Sequence, residues 1–191
     1  MVATANYYRS LNNFYITRSG LEISRFSEVN AVLKPMSQFK SYDDIKLPFV
    51  ISGRLVTSKK YKDRKYGTVT LASQALKPSL NDWVGIKIYK SHEVYEKVMK
   101  GEDVSVDEVA GKIISTSWND KDQGIDFVAE IYDKSIAYKM DAGVIEFVSV
   151  GFARNIVVVN GEYFFVDIEP KEASLVFDPR DSDARFTPVV V

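Results

Sequence analysis

The chain has 191 residues, enough for one globular domain with at most an appendage, and its 46% hydrophobic and 27% charged residues suffice to fill a core. With 25 basic residues against 26 acidic ones the formal net charge is −1, so no global field draws it toward nucleic acid or anionic lipid. It has no cysteine and a single histidine, His92, which excludes disulfide frameworks, thiol catalysis, zinc fingers and nearly every histidine-based metal site.

Residues 1–20 carry Arg9 and Arg18 with no apolar signal core between them. No apolar run approaches the roughly 20 residues needed to cross a bilayer, so the reading is a soluble, intracellular protein without membrane or nucleic-acid partners. Residues 1–45 form an N-terminal segment of open role, a propeptide or an arm. Within it Phe14–Thr17 and Leu21–Ile23 flank the turn signal Arg18-Ser19-Gly20 as a short hairpin. The main domain is placed at 46–191. Its many aromatic residues, 11 Tyr, 11 Phe and 2 Trp, suit pleated half-buried surfaces and point to a β-rich fold.

The first core strand is predicted over Leu47–Val56, with Pro48 near its start where a missing amide is tolerated. The basic stretch Lys59–Lys65 reads as a solvated loop, followed by a strand over Tyr66–Leu71 and a short helix within Ser73–Leu80. Val84–Tyr89 is a strand that runs into Ser91-His92-Glu93, placing the histidine at a strand end. Val94, Tyr95, Val98 and Met99 make a helical turn or two, closed by Gly101. Val109–Trp118 and Gly124–Ile131 form a hairpin, and Asp133 caps a helix that Gly143 stops.

Val144–Val159 is the most informative segment. Its even positions carry Val144, Val148, Val150 and Phe152, a bulky core face, whereas its odd positions shrink from Ile145 and Phe147 to Ser149, Gly151 and Ala153. Asn160-Gly161 turns the chain into Tyr163–Ile168, and Glu172–Phe177 gives one more short strand before Asp178-Pro179. The total is roughly seven strands: a β-rich α+β domain, a small barrel or partly open barrel with a few flanking helices.

Three motifs stand in fixed order: Ser-His-Glu at 91–93 after a strand, Phe-Val-Ser-Val-Gly-Phe at 147–152 after a helix and a glycine, and Glu-Ala-Ser-Leu-Val-Phe-Asp-Pro at 172–179. This order resembles the prohead protease family of tailed phages, capsid-maturation serine proteases related in fold to the herpesvirus assemblins, over about residues 47 to 186. The sequence departs from the family at Lys90-Ser91 before the histidine and at Asp181-Ser182-Asp183 after the proline.

The resemblance implies a serine endopeptidase that works without cofactor or metal. A serine hydroxyl needs a base to take its proton, and His92 is the only side chain with an unperturbed pKa near ~6.5. Ser149 is then the nucleophile and His92 the general base and acid. With no second histidine, either a carboxylate orients the imidazole or the site is a dyad; the carboxylate is Glu172 by position in the motif, with Asp178 and Glu93 as alternatives. The resemblance places an oxyanion-hole amide near Arg180, and Gly151 and Ala153 leave room for substrate side chains.

It further implies a homo-oligomer in the host cytoplasm, inside an assembling procapsid, with scaffold and major capsid proteins as substrates, and the protease itself among them. The plainer alternatives are a catalytically silent relative serving as internal scaffold or assembly protein, and an unrelated β-barrel module. On those readings Ser149 is a small residue packed in a strand and Glu172 an exposed carboxylate beside Lys171.

Overall fold

The computed structural model describes residues 41–63 and 65–189. The hairpin expected around Arg18-Ser19-Gly20 lies outside them. Nine strands form one mixed sheet: β1 (Phe49–Thr57), β2 (Lys60–Asp63), β3 (Gly67–Leu71), β4 (Lys87–Tyr89), β5 (Val109–Asn119), β6 (Gly124–Ile131), β7 (Phe147–Val159), β8 (Glu162–Val176) and β9 (Phe186–Pro188). Three short helices interrupt them: α1 (Ser73–Leu76), continued by a 3-10 turn over Lys77–Trp83, α2 (His92–Met99) and α3 (Lys134–Asp141).

The strand order is β2-β3-β8-β4-β5-β6-β1-β9, with β7 paired to β8 alone among the strands. The ladder itself does not close. Between its ends lies the segment Ala184–Phe186. The Arg54 amide donates to the Arg185 carbonyl at 2.8 Å, the Val148 amide to the Ala184 carbonyl at 3.1 Å, and Phe147 forms a lone antiparallel bridge with Arg185. A Cβ on Gly53 would stand 2.1 Å from the Arg185 carbonyl oxygen, so the missing side chain at 53 is what lets this segment lie against β1.

β8 organises the sheet. One edge pairs antiparallel with β7 along most of its length. The other takes β3 in parallel at Tyr163–Phe165 and then β4 in parallel at Ala173 and Ser174. The sequence suggested two separate short strands here, and the structure has one of 15 residues. Pro170 lies between those two stretches at a register shift, where Gly151 pairs with Glu172 and Phe152 with Pro170, and a bulge does not require the amide that proline lacks.

Two other elements differ from the reading of the sequence. The basic stretch after β1 is partly a strand: in β2 Lys60 and Lys62 face water while Tyr61 turns inward, an edge strand whose lysines discourage pairing with other chains. The short β9 carries no alternating pattern long enough to read. The β5–β6 hairpin and α3 lie where expected, with the Asp133 carboxylate accepting from the Ile136 amide at 2.9 Å. At the β7–β8 turn Asn160 and Gly161 both take positive φ, 52° and 80°, the pairing that suits the twist of a hairpin.

The core contains Ile51, Leu55, Trp83, Ile88, Ile113, Phe127, Met140, Val148 and Phe165. The Trp83 indole donates to the Ser79 hydroxyl at 3.2 Å, so its polar edge is satisfied inside. Ile45 also joins the core, and Tyr42 meets the Tyr138 ring edge-on at 5.7 Å. Among the described residues no helix is long and apolar enough to cross a membrane.

The turn after β8 is tied down by a buried carboxylate. Asp181 accepts from the Thr57 amide at 2.8 Å, the Thr57 hydroxyl at 2.6 Å and the Tyr61 hydroxyl at 2.9 Å, and it pairs with the Lys59 ammonium. Burial alone would raise its pKa, but these donors outweigh burial and hold the carboxyl below its ordinary 3.8. A carboxyl lowered in the folded state stabilises the fold above its unfolded pKa and loses that contribution as the pH falls through the folded value. Asp181→Ala strips a buried ionic cluster of its acceptor, so urea denaturation at neutral pH should show a loss of about 3 kcal/mol. The loss should shrink as the pH is lowered below 4.

Candidate active site

β4, β8 and β7 lie side by side, and they bring together the residues that the motifs singled out. Tyr89 on β4 pairs with Ser174 on β8, which pairs in turn with Ser149 on β7, and Glu172 faces Gly151 two residues away. Directly paired residues project from the same face of a sheet, so Ser149, Gly151, Glu172 and Ser174 share one face. His92 reaches that face from the other edge of β8. It is the first residue of α2, three positions past the end of β4, and therefore sits on a helix start rather than at the strand end itself.

The imidazole meets the carboxylate directly: His92 Nδ1 lies 2.7 Å from Glu172 Oε1. Glu172 is 4% exposed, whereas the His92 side chain retains 40% exposure. The reading of Glu172 as a solvated strand carboxylate is thereby overturned. Its other oxygen, Oε2, accepts from the Ser174 hydroxyl at 2.5 Å, and Ser174 is fully buried. A buried carboxylate is costly unless its lone pairs are used, and here each oxygen has a donor.

The bond to Glu172 is the largest influence on His92 and raises its pKa above the ordinary 6.5. Partial burial and the charge of Arg180 oppose the rise, and the Glu172 and Glu96 charges add to it. With the Nδ1 proton donated to Glu172, the Nε2 lone pair is free to accept a proton, the tautomer that a general base requires. Two aromatic rings border the pair: Tyr89 and Tyr95 stand 6.1 Å apart, and burial followed by the Glu172 charge raises both phenols.

The remaining residues divide clearly. Asp178 and Glu93 are exposed and neither carboxylate bonds to the imidazole, whose partner is Glu172, so of the three carboxylates considered it is Glu172 that the fold brings to His92. Arg180 is exposed in the turn between β8 and Asp181, near enough for its charge to act on His92. Ala153 is exposed on β7. Gly151 is half-buried, and the room left by its missing side chain holds the Glu172 side chain. The Ser149 hydroxyl is half-buried and makes no hydrogen bond among the described residues. Ser174 was readable from the sequence, because it stands two residues after Glu172 in a strand and therefore on the same face.

The chain matches no protein-family model, and no curated protein matches its sequence. Among the described residues no group of three or more His, Cys, Asp or Glu side chains is arranged to hold a metal ion.

Since His92 is the only histidine, its ring protons give one resolved NMR titration. Wild type should titrate above 6.5, and Glu172→Gln should bring the midpoint down toward that value. A histidine whose pKa is raised on folding stabilises the protein fully below its unfolded pKa and loses that contribution as the pH rises through the folded one. The stability difference between wild type and Glu172→Gln should therefore be larger at pH 5.5 than at pH 8.5.

Proposed function

We propose that this protein is a serine endopeptidase of viral capsid maturation, with Ser149 as nucleophile, His92 as general base and acid, and Glu172 as the carboxylate that orients the imidazole. The observation that carries the reading is the buried Glu172 carboxylate bonded to Nδ1 of the only histidine, on the sheet face that also bears Ser149. The ordered motifs at 91–93, 147–152 and 172–179 also support it: His92 from the first meets Glu172 from the third, and Ser149 from the second lies two residues from Gly151, which pairs with Glu172.

In the proposed reaction His92 Nε2 takes the Ser149 proton as the hydroxyl oxygen attacks the scissile carbonyl. The imidazolium formed is stabilised by Glu172. Backbone amides in the turn around Arg180 are the proposed donors to the tetrahedral oxyanion. His92 then returns the proton to the leaving amine, and water, activated in the same way, releases the acyl group from Ser149.

Beyond Val148 the edge of β7 opposite β8 has no strand partner among the described residues. An extended substrate segment of scaffold or capsid protein is proposed to add there as a strand, with Ala153 leaving space for its side chains. The bonds that the segment 184–186 makes to both β1 and β7 support the barrel-like form of the proposal. Action inside an assembling procapsid, as a homo-oligomer in the host cytoplasm, belongs to the same proposal.

One observation favours the silent assembly protein instead: the Ser149 hydroxyl is not bonded to His92. Co-expression with the scaffold and major capsid proteins separates the two, comparing wild type with Ser149→Ala by the intact mass of every product. Truncated products confined to wild type are expected; identical masses in assembled shells would establish the silent role. On a peptide substrate identified from those cuts, kcat/KM should fall with decreasing pH along a limb centred above 6.5, because His92 must be neutral to accept the serine proton. Glu172→Gln should lower kcat by on the order of 10⁴-fold.

A further inference from the structure

We infer that Gly151 is a positioning residue: its lack of a side chain, together with the Ser174 hydroxyl, forms the cradle that holds the Glu172 carboxylate against His92. A Cβ at position 151 would lie 2.7 Å from both Glu172 Cγ and Oε1, and Oε1 is the oxygen that bonds His92 Nδ1. Gly151 lies in an extended strand outside the left-handed region, so the backbone does not require glycine there. What requires it is the path of the Glu172 side chain, which folds across β7 over the space that glycine leaves. Ser174 closes the cradle from β8 by gripping Oε2 at 2.5 Å. With one oxygen gripped and the side chain confined over Gly151, Oε1 is left aimed at the imidazole.

The inference deepens the serine-protease reading, since a positioned carboxylate matters most there, but its test does not depend on peptidase activity. The atoms that an alanine at 151 would strike belong to one flexible side chain, so Gly151→Ala should fold cooperatively while displacing Glu172. The imidazole would then lose its partner. In NMR titrations of the full chain, the His92 midpoint of Gly151→Ala is expected to fall toward 6.5 and to match that of Glu172→Gln. The double variant Gly151→Ala/Glu172→Gln should titrate like Glu172→Gln alone, because both changes break the same contact.

A folded Gly151→Ala whose midpoint equals wild type, or a double variant whose midpoint falls further than Glu172→Gln, would overturn the cradle. Should Gly151→Ala fail to fold, Ser174→Ala carries the test without adding atoms: a lowered midpoint supports the cradle and an unchanged one overturns it. Where a cleavage assay exists, Gly151→Ala should lose about 100-fold in kcat/KM, chiefly through kcat. A chain without peptidase activity whose His92 still follows this pattern would leave the cradle standing and remove the protease reading alone.

Discussion

A carboxylate buried in a sheet is the constraint on which the site depends. Moving such a charge out of water costs several kcal/mol unless its oxygens are paired, and Glu172 is nearly fully buried. Both oxygens are used, one by His92 and one by Ser174. The same arrangement that makes the burial tolerable directs one lone pair at an imidazole nitrogen. It thereby selects which nitrogen carries the proton. Structural satisfaction and chemical orientation are here a single arrangement of three side chains.

That arrangement is available because β8 has neighbours on both edges. β4 brings the chain to α2 and so to His92, β7 brings Ser149 and Gly151, and β8 itself supplies Glu172 and Ser174. The bulge at Lys171, next to Pro170, falls immediately beside the Gly151–Glu172 pair, so the register changes just past the site and leaves the rungs that contain it regular. Beyond the end of β8 the chain passes Arg180 and is then fixed at Asp181 to Thr57, Tyr61 and Lys59. The buried Asp181 cluster thus holds the far end of the turn whose near end leaves the site.

Much of this was legible in the sequence wherever a local rule is strong. The Asp133 cap with Gly143, the Asn160-Gly161 turn and the β5–β6 hairpin each follow from residues within a few positions of one another. The order of three motifs singles out Ser149, His92 and Glu172, and of these the fold joins His92 to Glu172 and sets Ser149 two residues from Gly151, the partner of Glu172. The illegible parts are those set by distant partners. β2 reads as a charged loop because Tyr61 is its one apolar residue among Lys60, Lys62 and Asp63, and the Asp181 that Tyr61 bonds lies 120 positions away. β8 reads as two short strands because the bulge that joins them at Pro170 is a property of the β7–β8 pair. Gly151 reads as open space for a ligand because nothing in its neighbours says that Glu172 will fill it.

The central claim is that Ser149 is activated by His92 held against Glu172, and covalent labelling tests it most directly. A fluorophosphonate reacts with a serine whose hydroxyl is activated by a neighbouring base, and peptide mass mapping locates the adduct without knowledge of the substrate. The account expects one adduct per chain, on Ser149, lost in His92→Ala and strongly slowed in Glu172→Gln. No adduct on wild type in any assembly state, an adduct on another serine, or labelling of Ser149 undiminished in His92→Ala would contradict it.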